Sequence, residues 1–257
     1  MAVNVDIKAL LEAGVHFGHK TSRWHPKMAP YIHSKRQESH IIDLTKTVEG
    51  LDKALEFISQ TVAGGKQVLF VGTKRQAKDL VKETAVDVKQ PYVTERWMGG
   101  MLTNSKTIGE RIKHLRNLET RMASGELANR YSKLEVQRFQ EEIDLLNFKY
   151  GGIKELNGKP GALFVVDVLV EANAVREAKR LGVPVVALVD TNANPLDIDY
   201  IIPANDDAIK GIKLILEYVK QAVVEGQGER KKFVDSKLEA AEKKEKSTAA
   251  KSGEGKQ

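Results

Sequence analysis

Four short apolar runs, alternating with segments of helical periodicity, constrain this chain more than any other feature of its sequence. Residues 66–71 read Lys-Gln-Val-Leu-Phe-Val after a glycine pair, and residues 162–166 read Ala-Leu-Phe-Val-Val. Residues 183–189 are apolar around Pro184, and Tyr200, Ile201 and Ile202 make a shorter fourth run ended by Pro203. Among them, Ala77, Leu80, Val81 and Ala85 recur at helical spacing, residues 172–181 suit a helix closed by Gly182, and residues 208–224 suit a longer one. A strand that is apolar at every position must be covered on both faces. Such strands joined through helices predict an α/β domain: a Rossmann-like (flavodoxin-like) parallel sheet with helices on both faces, built by right-handed crossovers.

Residues 105–150 break that rhythm. Ile108, Ile112, Leu115, Leu118 and Met122 form one narrow stripe, and Leu134, Phe139, Ile143, Leu146 and Tyr150 suggest another, with mostly charged positions between them. With Ser124, Gly125 and Glu126 as the reversal, the pattern predicts an inserted antiparallel coiled-coil hairpin that buries its own seam and projects from the core. A helical subdomain lying on the sheet is the alternative. The expected organisation is an α/β core over residues 1–104 and 151–225, a helical hairpin over 105–150, and a disordered charged tail over 226–257. That tail has too few large apolar residues to offset its ordering entropy.

Composition narrows the function. The formal net charge is +6, which favours an anionic partner such as nucleic acid or an acidic membrane surface. The lack of cysteine excludes disulfides, thiolate metal sites and cysteine nucleophiles. No apolar run approaches the roughly 20 residues that span a bilayer, and the first residues lack the basic and apolar regions of a signal peptide. A cytosolic protein with no membrane partner is expected.

The chemistry-bearing residues cluster near glycine. His16, His19 and Lys20 follow Gly14 and Gly18, and Arg23, Trp24, His25 and Lys27 come next, with Lys35 and Arg36 beyond. Cations meet phosphates, while tryptophan and histidine stack on unpaired bases. The competing readings are a metal site, in which His16, His19 and His25 join Asp190 or Asp206, and plain packing of a loop on the sheet. Gly72, Thr73, Lys74 and Arg75 stand where a strand enters a helix, a natural anion site, or else Gly72 only makes a tight turn. No phosphate-binding loop of nucleotide type is present. Arg96, Trp97, Gly99, Gly100 and Asn104 suit an RNA-contacting loop, unless Trp97 anchors it in the core. Lys106 and Arg111 continue that surface onto the hairpin. Asp167 and Asp190 end two strands, where an open α/β sheet places its ligands. They suit Mg²⁺ for phosphoryl transfer, or simple capping of the next turn.

Several of these blocks together resemble the small-subunit ribosomal protein S2 family, bacterial or organellar type. The matching segments are residues 11–19, 70–75, 96–104, 160–184, 189–192 and 202–208, in family order over residues 8 to about 225. The resemblance implies a non-enzymatic, structural constituent of the small ribosomal subunit. It implies binding to 16S ribosomal RNA, support for docking the OB-fold-repeat protein S1 and contact with neighbouring ribosomal proteins, with no small-molecule substrate. The location implied is the ribosome in the cytoplasm, or the plastid stroma for an organelle-encoded member. No cofactor is required for such a role. The family's association with zinc points to His25 with Asp190, Asp206 or Asp207, although His25 stands where members commonly have asparagine.

Overall fold

A computed structural model describes residues 5–253, with side chains through residue 233. Its centre is a five-stranded parallel sheet of β4 (Val68–Val71), β5 (Tyr92–Val93), β6 (Ala162–Val166), β7 (Val185–Val189) and β8 (Tyr200–Pro203), in the order β5-β4-β6-β7-β8. This is the flavodoxin-like order, with its switch point between β4 and β6. Every residue of β4, β6 and β7 is buried, and period-two alternation divides them between two cores. Phe70, Phe164, Val186 and Leu188 face one cluster, Leu69, Val165, Val185 and Ala187 the other.

The first face is covered by α2 (Leu44–Ala63), α3 (Lys78–Asp87) and α8 (Ile209–Gly253). Helix α2 begins where Asp43 accepts a hydrogen bond from the Thr45 N–H at 2.9 Å. It buries Leu51, Leu55, Ile58 and Val62, an i, i+4, i+7, i+11 stripe. Helix α7 (Ala172–Arg180) lies on the second face, against the loop carrying Trp97 and the base of the insertion.

The insertion forms α4 (Ser105–Ala123), α5 (Glu126–Arg130) and α6 (Lys133–Tyr150). Helix α4 packs mainly on α5 and α6, and Ile108, Leu115, Leu118, Ile143, Leu146 and Tyr150 are buried as the two stripes require. The reversal is more than a turn, because α5 fills it and buries Leu127. Leu134, expected in the seam, is 62% exposed instead.

The expected boundary at residue 225 is not a break. Helix α8 runs through it, and Gly226 lies so close to α2 that a Cβ there would stand 2.4 Å from the Ser59 carbonyl oxygen. Gln227 donates to the Val88 carbonyl at 2.6 Å. The first turns of the charged segment therefore belong to the core face, and the rest of the expected tail lies largely outside the residues described with side chains.

A second, antiparallel sheet precedes all this, with β1 (Phe17–Lys20), β2 (Ile32–Arg36) and β3 (Ser39–Ile42) in the order β1-β3-β2. Helix α1 (Ile7–Glu12) leads into it. It docks on the end of β7 through Thr191, whose Oγ1 accepts from the His19 N–H and whose carbonyl accepts from the His25 N–H. A Cβ on Gly18 would stand 2.6 Å from Thr191, so glycine permits the contact. No described helix is long and apolar enough to cross a membrane.

Candidate nucleic-acid interface and the charged cluster beside it

The carboxyl ends of β4, β6, β7 and β8 bring seven charged side chains together. The Lys74 Nζ lies 3.1 Å from Asp167, 2.7 Å from Asp206 and 2.7 Å from Asp207. Asp190, 1% exposed, faces the Nδ1 of His19 at 3.0 Å, and the Nε2 of His19 stands 3.4 Å from Asp207. Glu171 accepts from the Thr73 N–H at 2.8 Å. Asp167 adopts φ +69°, a left-handed conformation that costs a non-glycine residue on the order of 1–3 kcal/mol. Its Oδ1 accepts from the N–H groups of Leu169 and Val170, while its Oδ2 faces Lys74, and these contacts hold the conformation.

The electrostatics of this cluster are lopsided. Burial first, then the charges of Asp167 and Asp190, push Asp206 up to about 7 against the pull of Lys74. Burial opposes the charge on Lys74, but Asp206 and Asp207 outweigh it and hold the ammonium well above the usual lysine range. The hydrogen bond to Asp190 raises His19, partly offset by burial. Five carboxyl groups thus surround one ammonium and one imidazole.

This arrangement corrects several expectations. The strand-to-helix turn at Gly72 is not open to a phosphate, because Glu171 takes the Thr73 N–H and three aspartates take Lys74. Lys74 and His19, expected on an RNA-contacting surface, are engaged within the cluster. His25 does not enter the cluster; its Nδ1 accepts from the Lys27 N–H at 3.2 Å. Asp167 and Asp190 are each already engaged, and Asp190 holds the following loop by accepting from the Thr191 N–H and hydroxyl.

The loop after β5 is closed in a similar way. Glu177 of α7 accepts from Trp97 Nε1 (3.0 Å), from the N–H groups of Gly100 (2.7 Å), Leu102 (3.0 Å) and Thr103 (3.1 Å), and from the Thr103 hydroxyl (3.1 Å). Burial pushes the Glu177 carboxyl up, but these bonds outweigh it and hold it below the ordinary glutamate value. Trp97 is 8% exposed and anchors the loop rather than stacking on a base. Sequence reasoning missed Glu177, and nothing about a glutamate on a helix face announces the role.

The remaining candidates do reach solvent. Lys20, Arg23, Trp24, Lys27, Arg75, Arg96, Asn104, Lys106 and Arg111 are all exposed. His16 is half-buried, its ring 4.0 Å from that of Phe17. Residues 13–42 hold five Lys and Arg against a single acidic residue, Glu38. None of those five cations makes an ion pair among the described residues. This stretch, in and between the strands of the antiparallel sheet, therefore carries an unneutralised basic excess.

The profile of the ribosomal protein S2 family matches residues 10–226. This chain belongs to the ribosomal protein S2 family. It is 52% identical over 226 residues to the small ribosomal subunit protein uS2 of Roseiflexus sp. (strain RS-1), a match covering 88% of this chain and 86% of that protein. It is 50% identical to uS2 of Chloroflexus aggregans (strain MD-66 / DSM 9485), covering 88% of this chain and 94% of that one. For uS2 of Dehalococcoides mccartyi (strain CBDB1) the identity is 51%, covering 88% and 92%. The S2 match takes in the parallel sheet, the hairpin, the charged cluster and the basic antiparallel sheet.

Proposed function

We propose that this chain is a structural, non-catalytic constituent of the small ribosomal subunit that binds the subunit's RNA, in a bacterial cytoplasm. Family membership supports the structural role. The observation that carries RNA binding is the set of exposed, unpaired cations in and between the strands of the antiparallel sheet, with Trp24 among them. Phosphates attract such cations at a salt-dependent cost, because binding releases counterions. Arg96, Asn104, Lys106 and Arg111 extend the surface along the fastened loop and onto the hairpin, and other faces are left for neighbouring ribosomal proteins, S1 included.

The test is a salt titration of binding to small-subunit ribosomal RNA. The double substitution Arg23→Ala/Lys27→Ala should flatten the slope of log affinity against log salt by about 1.4–1.8, two phosphates' worth. An unchanged slope would remove this surface from the interface.

A second reading concerns the cluster. The ligand atoms of His19, Asp206 and Asp207 lie within 4.8 Å of one another. The 3.4 Å between His19 Nε2 and Asp207 suits two ligands about 2.0–2.1 Å from one tetrahedral ion. Asp190 behind His19 Nδ1 is the carboxylate that orients a ligating imidazole. These residues would hold zinc and supply a structural crosslink once Lys74, 2.7 Å from both Asp206 and Asp207, is displaced from them. If so, zinc at 100 times its dissociation constant should stabilise the protein by about 2.7 kcal/mol, and His19→Ala should abolish the shift in melting temperature. No shift in the unsubstituted protein would end this reading.

A further inference from the structure

The strand β2 is exposed at each residue from His33 to Arg36, although side chains along a strand alternate between its two faces. Past Ile32, therefore, side chains on both faces of this edge strand reach solvent, although His40, the partner of Lys35 on β3, is buried. The turn to β3 is only two residues long, with Gln37 at φ +46° and Glu38 at φ +64°. Two consecutive left-handed residues are the geometry of a tight hairpin turn that usually calls for Asn or Gly. Here the chain uses two long polar residues, and β2 and β3 form a tightly turned ribbon at the edge of the three-stranded sheet.

The register assigns charges to both of its faces. Lys35 pairs with His40, and the Trp24 ring stands 5.1 Å from that of His40, so Lys35 and Trp24 share one side. Arg36 pairs with Ser39, as does Lys20 from β1, which puts those two cations on the opposite side. Lys20, Lys35 and Arg36 make no ion pair among the described residues. A surface built to lie on one phosphate chain needs cations on one face only. A ribbon with unpaired cations on both faces complements two.

We propose that the β2–β3 ribbon is held between two RNA backbone segments, with Lys35 and Trp24 facing one and Lys20 and Arg36 facing the other. This rests on the reading of the chain as an RNA-binding constituent of the small subunit, and adds that the ribbon is clasped from both sides. The occupants are phosphate chains, because the cations on these faces are exposed and unpaired among the described residues and Glu38 is the one acidic residue between residues 13 and 42.

The absence of cysteine makes the test direct, since a single introduced thiol is unique in the chain. Ser34→Cys and Lys35→Cys place that thiol on opposite faces, both beyond the register shift near His33. Each full-length variant is labelled with iron–EDTA and incorporated into small subunits, and hydroxyl-radical cleavage of the RNA is mapped. Both probes should cut, and at two separate stretches of RNA. Cleavage from one probe alone, cleavage of one shared stretch by both, or silence from both in subunits that contain the labelled chain would each overturn the proposal. Failure of the unsubstituted chain to enter small subunits would instead overturn the reading on which it rests. In the salt titration, Lys35→Ala and Arg36→Ala should each flatten the slope by about 0.7–0.9, and their effects should add. A null effect from either would count against the clasp.

Discussion

Removing the carboxylate of Glu177 would strand an indole N–H, three backbone N–H groups and a hydroxyl together. Hydrogen bonds to a charged group contribute about 1.5–3 kcal/mol each when tested singly, and a shared acceptor makes them far from additive. Glu177→Ala should therefore lower stability by on the order of 3 kcal/mol, and Glu177→Gln by less, as read by denaturant unfolding. The pH dependence has a defined sign. The folded-state value of Glu177 is depressed, so its contribution is complete above the ordinary value of about 4.3 and is lost as pH falls through the lower, folded-state value. The gap between the unsubstituted protein and Glu177→Gln should narrow in that acid range; a constant gap would show that charge is not what matters. At this scale the sequence was only half legible. Asp190 holding its own loop could be read from an aspartate at a strand end, but Trp97, Lys74 and His19 could not be placed. Their partners Glu177, Asp206 and Asp190 are distant in sequence, and only the fold brings them near.

Elements were easier to read than residues, for a physical reason. Strands β4, β6, β7 and β8 are apolar on both faces, a pattern that little besides a covered sheet explains, whereas the two-residue β5 is too short to leave a pattern. The antiparallel sheet was hidden because its exposed cations interrupt any alternation. Helix α2 lies outside the elements expected from the sequence, although Asp43 and its apolar stripe mark it. The hairpin reading survives with an altered tip, and it carries a prediction. Replacing residues 111–143 by a short Gly-Ser bridge keeps Ile108, Leu146 and Tyr150, which join the hairpin base to the second core. The shortened protein should still unfold cooperatively, with a melting temperature within about 4 °C of the original, equivalent to roughly 1 kcal/mol at this size. RNA affinity should fall with the loss of Arg111 and its neighbours. A non-cooperative transition would mean that the insertion supports the sheet.

Across the whole molecule, charge is sorted by position. Carboxylates gather at the carboxyl ends of the parallel strands, and Glu171 and Glu177 on and before α7 accept hydrogen bonds from backbone N–H groups of the loops beside them. In residues 13–42, in and between the strands of the antiparallel sheet, five cations face a single acidic residue, Glu38, and none of them is paired among the described residues. The two loops most suggestive of anion binding in the sequence are thus satisfied from within, and the outward attraction is left to a smaller surface. This has a consequence for how the two molecules come together. A loop that already has its anion need not be ordered by its partner, so the protein enters the encounter close to its final shape. If the chain binds RNA as proposed, the adjustment falls to the RNA, and the chain acts as a template on which a more flexible polymer sets.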